Sequence, residues 1–248
     1  MTDRGRVRVE VGQKRVRAFL GGELVLDSAE PRLVWEKPYY PTYYVPLADV
    51  VAKLEATGET KNSPSRGLAD VLTVATTSGA AERGGYRYPD SPLEELRGLV
   101  AVEWNAMDAW FEEDEQVYVH PRDPYKRIDI LPSSKHVRVE IDGVTVADTT
   151  SPRLLFETGL PVRYYIPPLD VRQEYLHPSD THTECPYKGI ASYHSIEVNG
   201  VVHADAVWHY PFPVEESARI TGMYSFYNEK VDIFVDGNRL ERPNTVFS

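Results

Sequence analysis

One stretch of this chain is written twice. Lys14 to Val50 (KRVRAFLGGELVLDSAEPRLVWEKPYYPTYYVPLADV) aligns without a gap to Lys135 to Val171 (KHVRVEIDGVTVADTTSPRLLFETGLPVRYYIPPLDV). Asp27 and Asp148, Glu36 and Glu157, and Asp49 and Asp170 each stand 121 residues apart. A self-match of this length constrains the architecture before any local pattern is read, because it implies two copies of one folding unit. A chain of 248 residues has room for two domains of ordinary size. Arg6–Val11 (RVRVEV) is answered by Arg127–Leu131 (RIDIL) at the same offset. Ser63–Gly67 is answered by Cys185–Gly189, and Tyr86–Pro89 by Trp208–Pro211, both at 122. Setting aside residues 1–5 as a loose end, the first unit is expected over 6–113 and the second over 127–240. Residues 114–126 (DEQVYVHPRDPYK) read as a linker that partly packs.

Within each unit the pattern is that of short strands. Val16–Leu20 and Glu23–Leu26 flank Gly21-Gly22, and the second copy has Asp142-Gly143 there, a hairpin signal. Alternation along Pro31–Glu36 predicts Leu33 and Trp35 on a buried face and Arg32, Val34 and Glu36 on the opposite, polar one. Trp35, Trp110 and Phe156 are expected in the core. Leu47, Val50, Val51 and Leu54 fall at helical spacing ending at Gly58. A second short helix is predicted from Ser91 as N-cap, with Pro92, Glu94 and Gly98 in the supporting positions, and its partner over Pro213–Gly222. The last strands align Met107–Phe111 with Val231–Val235. The fold class is mainly β, a β-rich α+β chain of two homologous compact domains with one or two short helices each.

Composition removes several classes of function. The chain has one cysteine, Cys185, so it can form no internal disulfide and no multi-cysteine zinc site. A formal charge of −11 repels phosphate backbones, and no basic stripe overrides it, so nucleic-acid binding is not expected. No apolar run is long enough to span a bilayer. The charged start MTDRGRVRVEV enters a strand at once, leaving no room for a signal peptide, so a cytoplasmic protein is expected.

The CPYKG pentapeptide (Cys185–Gly189) followed by Ala191 and Tyr193 resembles the bacterial domain of unknown function family 427. The LxxE strand before a YY-x-P segment and the WFEEDE…HPRDPY join extend the resemblance over nearly the whole chain as a tandem pair. It implies a compact β-rich domain. A nucleotidyltransferase label is sometimes attached to that family. No Gly-Ser followed by an Asp-x-Asp metal pair and no P-loop appears here to support it. The first copy departs from the pattern, with Ser63 and Arg66 where Cys185 and Lys188 stand.

Three constellations carry candidate chemistry. Lys188, three residues from Cys185 on a Pro–Gly loop, could make the thiol a nucleophile, against the alternative of a small packed residue. His177, His182, Cys185, His194, His203 and His209 crowd one window, but their spacing fits no tight ligand motif and no metal or other cofactor is predicted. The duplicated polar face is the leading candidate. Arg32 with Glu36, and Arg153 with Glu157, lie near tyrosine pairs and a cationic loop in both copies. Glu157 is the expected acid/base, and Arg153 and Lys188 would hold anionic groups. Tyr164, Tyr165, Tyr187, Trp208 and Tyr210 would wall the site. The alternative is an exposed cross-strand ion pair that only supports the fold. The acidic run Glu112–Glu115 reads as a solvated turn.

The expected function is thus a cytosolic small-molecule enzyme or ligand-binding protein, with its site in the second copy or between the copies. Its partner would be a small polar or anionic molecule, with no membrane or nucleic acid involved, and a homodimer is compatible with the sequence. The competing expectation is a non-catalytic interaction or scaffold module.

Overall fold

The computed structural model describes residues 7–245, so the loose end expected over residues 1–5 lies outside the described residues. Two compact units, Met1–Asp123 and Pro124–Ser248, divide the chain. In the first, eleven strands follow in order: β1 (Arg8–Val11), β2 (Val16–Leu20), β3 (Glu23–Ser28), β4 (Arg32–Trp35), β5 (Thr42–Pro46), β6 (Lys53–Ser63), β7 (Gly67–Ala75), β8 (Ala80–Arg87), β9 (Leu99–Val102), β10 (Ala109–Glu112) and β11 (Glu115–Val117). The second repeats them as β12 (Ile128–Pro132), β13 (Val137–Ile141), β14 (Val144–Thr149), β15 (Arg153–Glu157), β16 (Arg163–Ile166), β17 (Leu176–Cys185), β18 (Gly189–Val198), β19 (Val201–His209), β20 (Tyr224–Phe226), β21 (Asp232–Val235) and β22 (Asn238–Arg239).

The two units share one topology. A seven-stranded sheet runs β1-β4-β5-β9-β8-β7-β6 in the first and β12-β15-β16-β20-β19-β18-β17 in the second. A four-stranded sheet runs β11-β10-β2-β3 in the first and β14-β13-β21-β22, the same order reversed, in the second. All named strand pairs are antiparallel, which suits the Gly-Gly and Asp-Gly turns; Gly21, Gly22, Asp142 and Gly143 all have positive φ, as these turns require. Register corrects the sequence alignment by one residue at the end. Phe111 faces Arg17 and Phe234 faces Arg138, so the last strands are related by an offset of 123 rather than 124 (234 − 111). In each unit that arginine also lies over that phenylalanine, at 5.4 Å and 4.4 Å.

The central strands of each seven-stranded sheet are buried on both faces. In the first unit one face packs with the small sheet around Val16, Ala18, Val45, Val74, Val100 and Trp110. The other face carries a separate cluster of Val34, Tyr44, Tyr86, Tyr88 and Leu96. The second unit repeats this with a core around Val139, Ile166, Ile196, Val207 and Phe226, and an outer cluster of Leu155, Tyr165, Tyr193, Trp208, Tyr210 and Ile220. The expected helices at Ser91–Gly98 and Pro213–Gly222 are short 3₁₀ turns, Glu94–Leu96 and Glu215–Ile220. Each inserts a fully buried side chain, Leu96 or Ile220, into its outer cluster.

The structure overturns several local expectations. Val34, assigned to the polar face, is fully buried, and Phe156 is 39% exposed rather than in the core. Trp35 is only half-buried, with the Arg8 guanidinium 4.6 Å from its ring centroid. Trp110 is buried as expected. The helix expected over Leu47–Leu54 is a 3₁₀ turn, Leu47–Asp49, followed by the long edge strand β6. That strand is almost wholly exposed, so its sequence shows no apolar alternation to announce it. The acidic run is not wholly solvated. Glu112 is buried and accepts hydrogen bonds from Tyr43 Oη and Lys14 Nζ, and Glu115–Val117 of the expected linker pairs with β10.

Candidate functional site

The CPYKG segment closes the β17–β18 hairpin, where Cys185 pairs with Gly189. Lys188 N–H donates to the Cys185 carbonyl at 3.3 Å, and Gly189 sits at φ +94°, a conformation that favours glycine. The turn brings the Lys188 side chain to the end of β15, where Nζ lies 2.6 Å from Glu157 Oε2. Only 11% of the lysine side chain and 8% of the glutamate side chain remain exposed. Burial works against the charge on Lys188, but the neighbouring Cys185 and Glu157 outweigh it, and the pKa is raised above the ordinary lysine value. Lys188 is therefore a fixed cation at neutral pH.

Aromatic side chains surround this pair. Tyr165 is fully buried, and its hydroxyl accepts a hydrogen bond from Trp208 Nε1 at 3.1 Å. Burial pushes the Tyr165 phenol up despite that bond, and burial and the nearby Tyr165 and Cys185 push Tyr210 up as well. Both remain protonated at neutral pH.

The expected site residues are gathered only in part. Glu157, Lys188, Cys185, Tyr165, Trp208 and Tyr210 come together. Arg153 stands directly across from Tyr165 in the β15–β16 register, about 13 Å along the strand from Glu157. The same spacing separates Arg32 from Glu36, and Arg32 Nη1 instead donates to the Glu30 carbonyl at 2.8 Å. Tyr164 packs on the opposite face, against the core between the two sheets. Tyr187 contributes its backbone carbonyl, which accepts from Ser217 Oγ at 3.0 Å.

The first unit builds the equivalent pair from different side chains. Glu36 Oε1 lies 2.7 Å from Arg66 Nη1 and accepts hydrogen bonds from Tyr44 Oη and, at 3.0 Å, from Tyr86 Oη. Glu157 accepts from Lys188 alone among the described residues. The difference arises because Trp208 stands where Tyr86 does and draws the Tyr165 hydroxyl to its indole N–H. Glu157 also lines a shallow hollow of about 240 Å³ with Arg127, Asp129, Phe156, Thr158, Leu160 and Val162.

A polar cluster that the repeat could not reveal lies nearby. Arg163 makes two hydrogen bonds to Glu229, at 2.7 and 2.6 Å, and its guanidinium faces the Trp208 and Tyr227 rings. Tyr193 links Thr183 and Tyr227 through hydroxyl contacts of 2.8 and 3.2 Å. Thr42 and Val71 occupy the positions of Arg163 and Tyr193 in the first unit.

A family model described as a domain of unknown function (DUF427) matches residues 8–113 and again residues 129–237. The chain belongs to this family. Each match covers one β-rich unit, so the protein is a tandem DUF427 chain, with CPYKG in its second unit only. A search of curated proteins finds no match. Among the described residues no group of three or more His, Cys, Asp or Glu side chains is placed to hold a metal ion. Three of the crowded histidines of the second DUF427 unit are dispersed. His177 pairs with Glu197 at 3.5 Å, His203 with Asp142 at 3.1 Å, and His182 contacts its own loop.

Proposed function

We propose that the second DUF427 unit binds and acts on a small polar molecule at the end of β15. In this reading Glu157 accepts or donates the proton, and Lys188 holds an anionic group of the ligand. Cys185 is the neighbouring nucleophile, with Lys188 as its counter-ion when the thiol ionises. Tyr165, Trp208 and Tyr210 form the wall behind them. The observation that carries the reading is the contrast between the copies: Glu36 accepts hydrogen bonds from two tyrosine hydroxyls and is ion-paired with Arg66, whereas Glu157 is held by Lys188 alone among the described residues and borders a hollow. That hollow is below the usual range for drug-sized ligands, about 300–1,000 Å³, which favours a small molecule. No helix among the described residues is long and apolar enough to cross a membrane, and with a charge of −11 we place the activity in the cytoplasm, away from nucleic acid.

A thermal-shift panel of small carboxylates, phosphates and sugars on the full chain tests this. At least one class of compound is expected to raise the melting temperature of the wild type and not of Glu157→Gln. Equal shifts in both proteins, or none in either, would count against the site.

One observation favours a second reading, that of a scaffold module. A carboxylate–cation pair with tyrosines is buried at the same place in both units, and no side chain of either pair is more than 12% exposed. On that reading Glu157→Gln lowers stability and leaves every binding property unchanged.

A further inference from the structure

The core-side face of the large sheet in the second unit carries a polar trio with no equivalent in the first. His194 and His209 are diagonal neighbours across β18 and β19, since Ser192 pairs with His209 and His194 with Val207. Their ring centroids are 5.1 Å apart with the planes tilted by 42°. Tyr224 stands edge-on to both rings, at 5.4 and 5.2 Å and 84°. By register, Leu72, Arg87 and Val100 occupy these positions in the first unit. Nδ1 of each histidine is buried and makes no hydrogen bond.

We propose that His194 and His209 chelate one divalent late-transition-metal ion, with water completing its coordination. Imidazoles bind such ions at about 2.0–2.1 Å, so two rings sharing one ion at a tetrahedral angle have centroids on the order of 5 Å apart. The observed separation meets that requirement. Imidazole suits Zn²⁺, Ni²⁺ and Cu²⁺, and with only two protein ligands the preference follows the general order, with Cu²⁺ bound most tightly. Burial lowers the pKa of both histidines, and for His209 the proximity of His194 adds to it. Both rings are thus neutral at pH 7, the form that offers a lone pair to a metal. The site lies on the opposite face of the sheet from Glu157 and does not depend on the function assigned to that residue.

The test uses the full chain and the metal alone. Calorimetric titration with Zn²⁺ is expected to show one ion per chain, lost in His194→Leu and in His209→Gln and kept in the control His177→Gln. Leu is the residue the first unit carries at that position, so His194→Leu is compatible with the fold. Electron paramagnetic resonance of the unmodified protein with one equivalent of Cu²⁺ gives a readout that needs no variant, and hyperfine coupling to two imidazole nitrogens is expected. No stoichiometric binding, a sulfur-ligated spectrum, or binding that survives in both histidine variants would overturn the proposal.

Discussion

Lys188 Nζ lies 2.6 Å from Glu157 Oε2 with both side chains nearly removed from water. Removing one partner of such a pair leaves an uncompensated buried charge, which typically costs about 3–5 kcal/mol. Lys188→Met is therefore expected to lower unfolding free energy by about that amount in urea titrations. Lys188→Arg keeps the cation, as Arg66 does in the first unit, and should cost less than about 2 kcal/mol.

The turn that delivers Lys188 depends on Gly189, whose φ is +94° and whose missing Cβ would lie 3.3 Å from the Phe212 carbonyl. Gly189→Ala is expected to cost about 1–3 kcal/mol through backbone strain. The same denaturant titration checks it, and a neutral result would mean that the hairpin has another conformation available.

Glu229 predicts part of the acid sensitivity. Burial would raise its pKa, but the hydrogen bonds from Arg163 and Thr245 prevail and lower it below the ordinary 4.5. A carboxylate with a depressed folded pKa contributes stability that is fully present above the unfolded value and is lost as pH falls through the folded value. The melting temperature of Glu229→Gln should thus lie well below that of the wild type at pH 6. The gap should narrow as pH falls below 4.5.

Burial separates two aromatic substitutions. Trp110 is 3% exposed, and Trp110→Ala should cost about 3–5 kcal/mol. Phe156 is 39% exposed beside the hollow, and Phe156→Ser should cost less than about 1 kcal/mol. Chemical denaturation of the two variants decides this directly.

The architecture was legible because the duplication is legible: the gapless match from Lys14 to Val50 predicts two like units, and their topologies agree strand by strand. Turn chemistry at Gly21-Gly22 and Asp142-Gly143 was equally plain. What failed were inferences that needed a third dimension. Alternation along Arg32–Glu36 identifies which side chains share a face, but it does not say that both faces are covered, which is why Val34 is buried on the face expected to be polar. Arg153 and Glu157 share a face but stand about 13 Å apart along the strand, and it is Lys188 that forms the ion pair with Glu157. Lys188, expected beside Arg153 as a cation of the site, is distant from both in sequence and is brought to Glu157 by the β17–β18 turn. Arg163 and Glu229 are 66 residues apart, and Thr42 stands where the first copy would need an arginine, so no repeat could flag them. His194 and His209 were visible only as members of a crowd, because it is strand register that makes them neighbours.

The account rests most heavily on Glu157 being a working carboxylate rather than a buried strut. The direct measurement is calorimetric titration of a compound found in the thermal-shift panel into the wild type, Glu157→Gln and Glu36→Gln. Binding should vanish in Glu157→Gln and persist unchanged in Glu36→Gln, whose carboxylate is already engaged by two tyrosine hydroxyls and the Arg66 ion pair. Binding that survives Glu157→Gln, or that is lost only with Glu36, would contradict it.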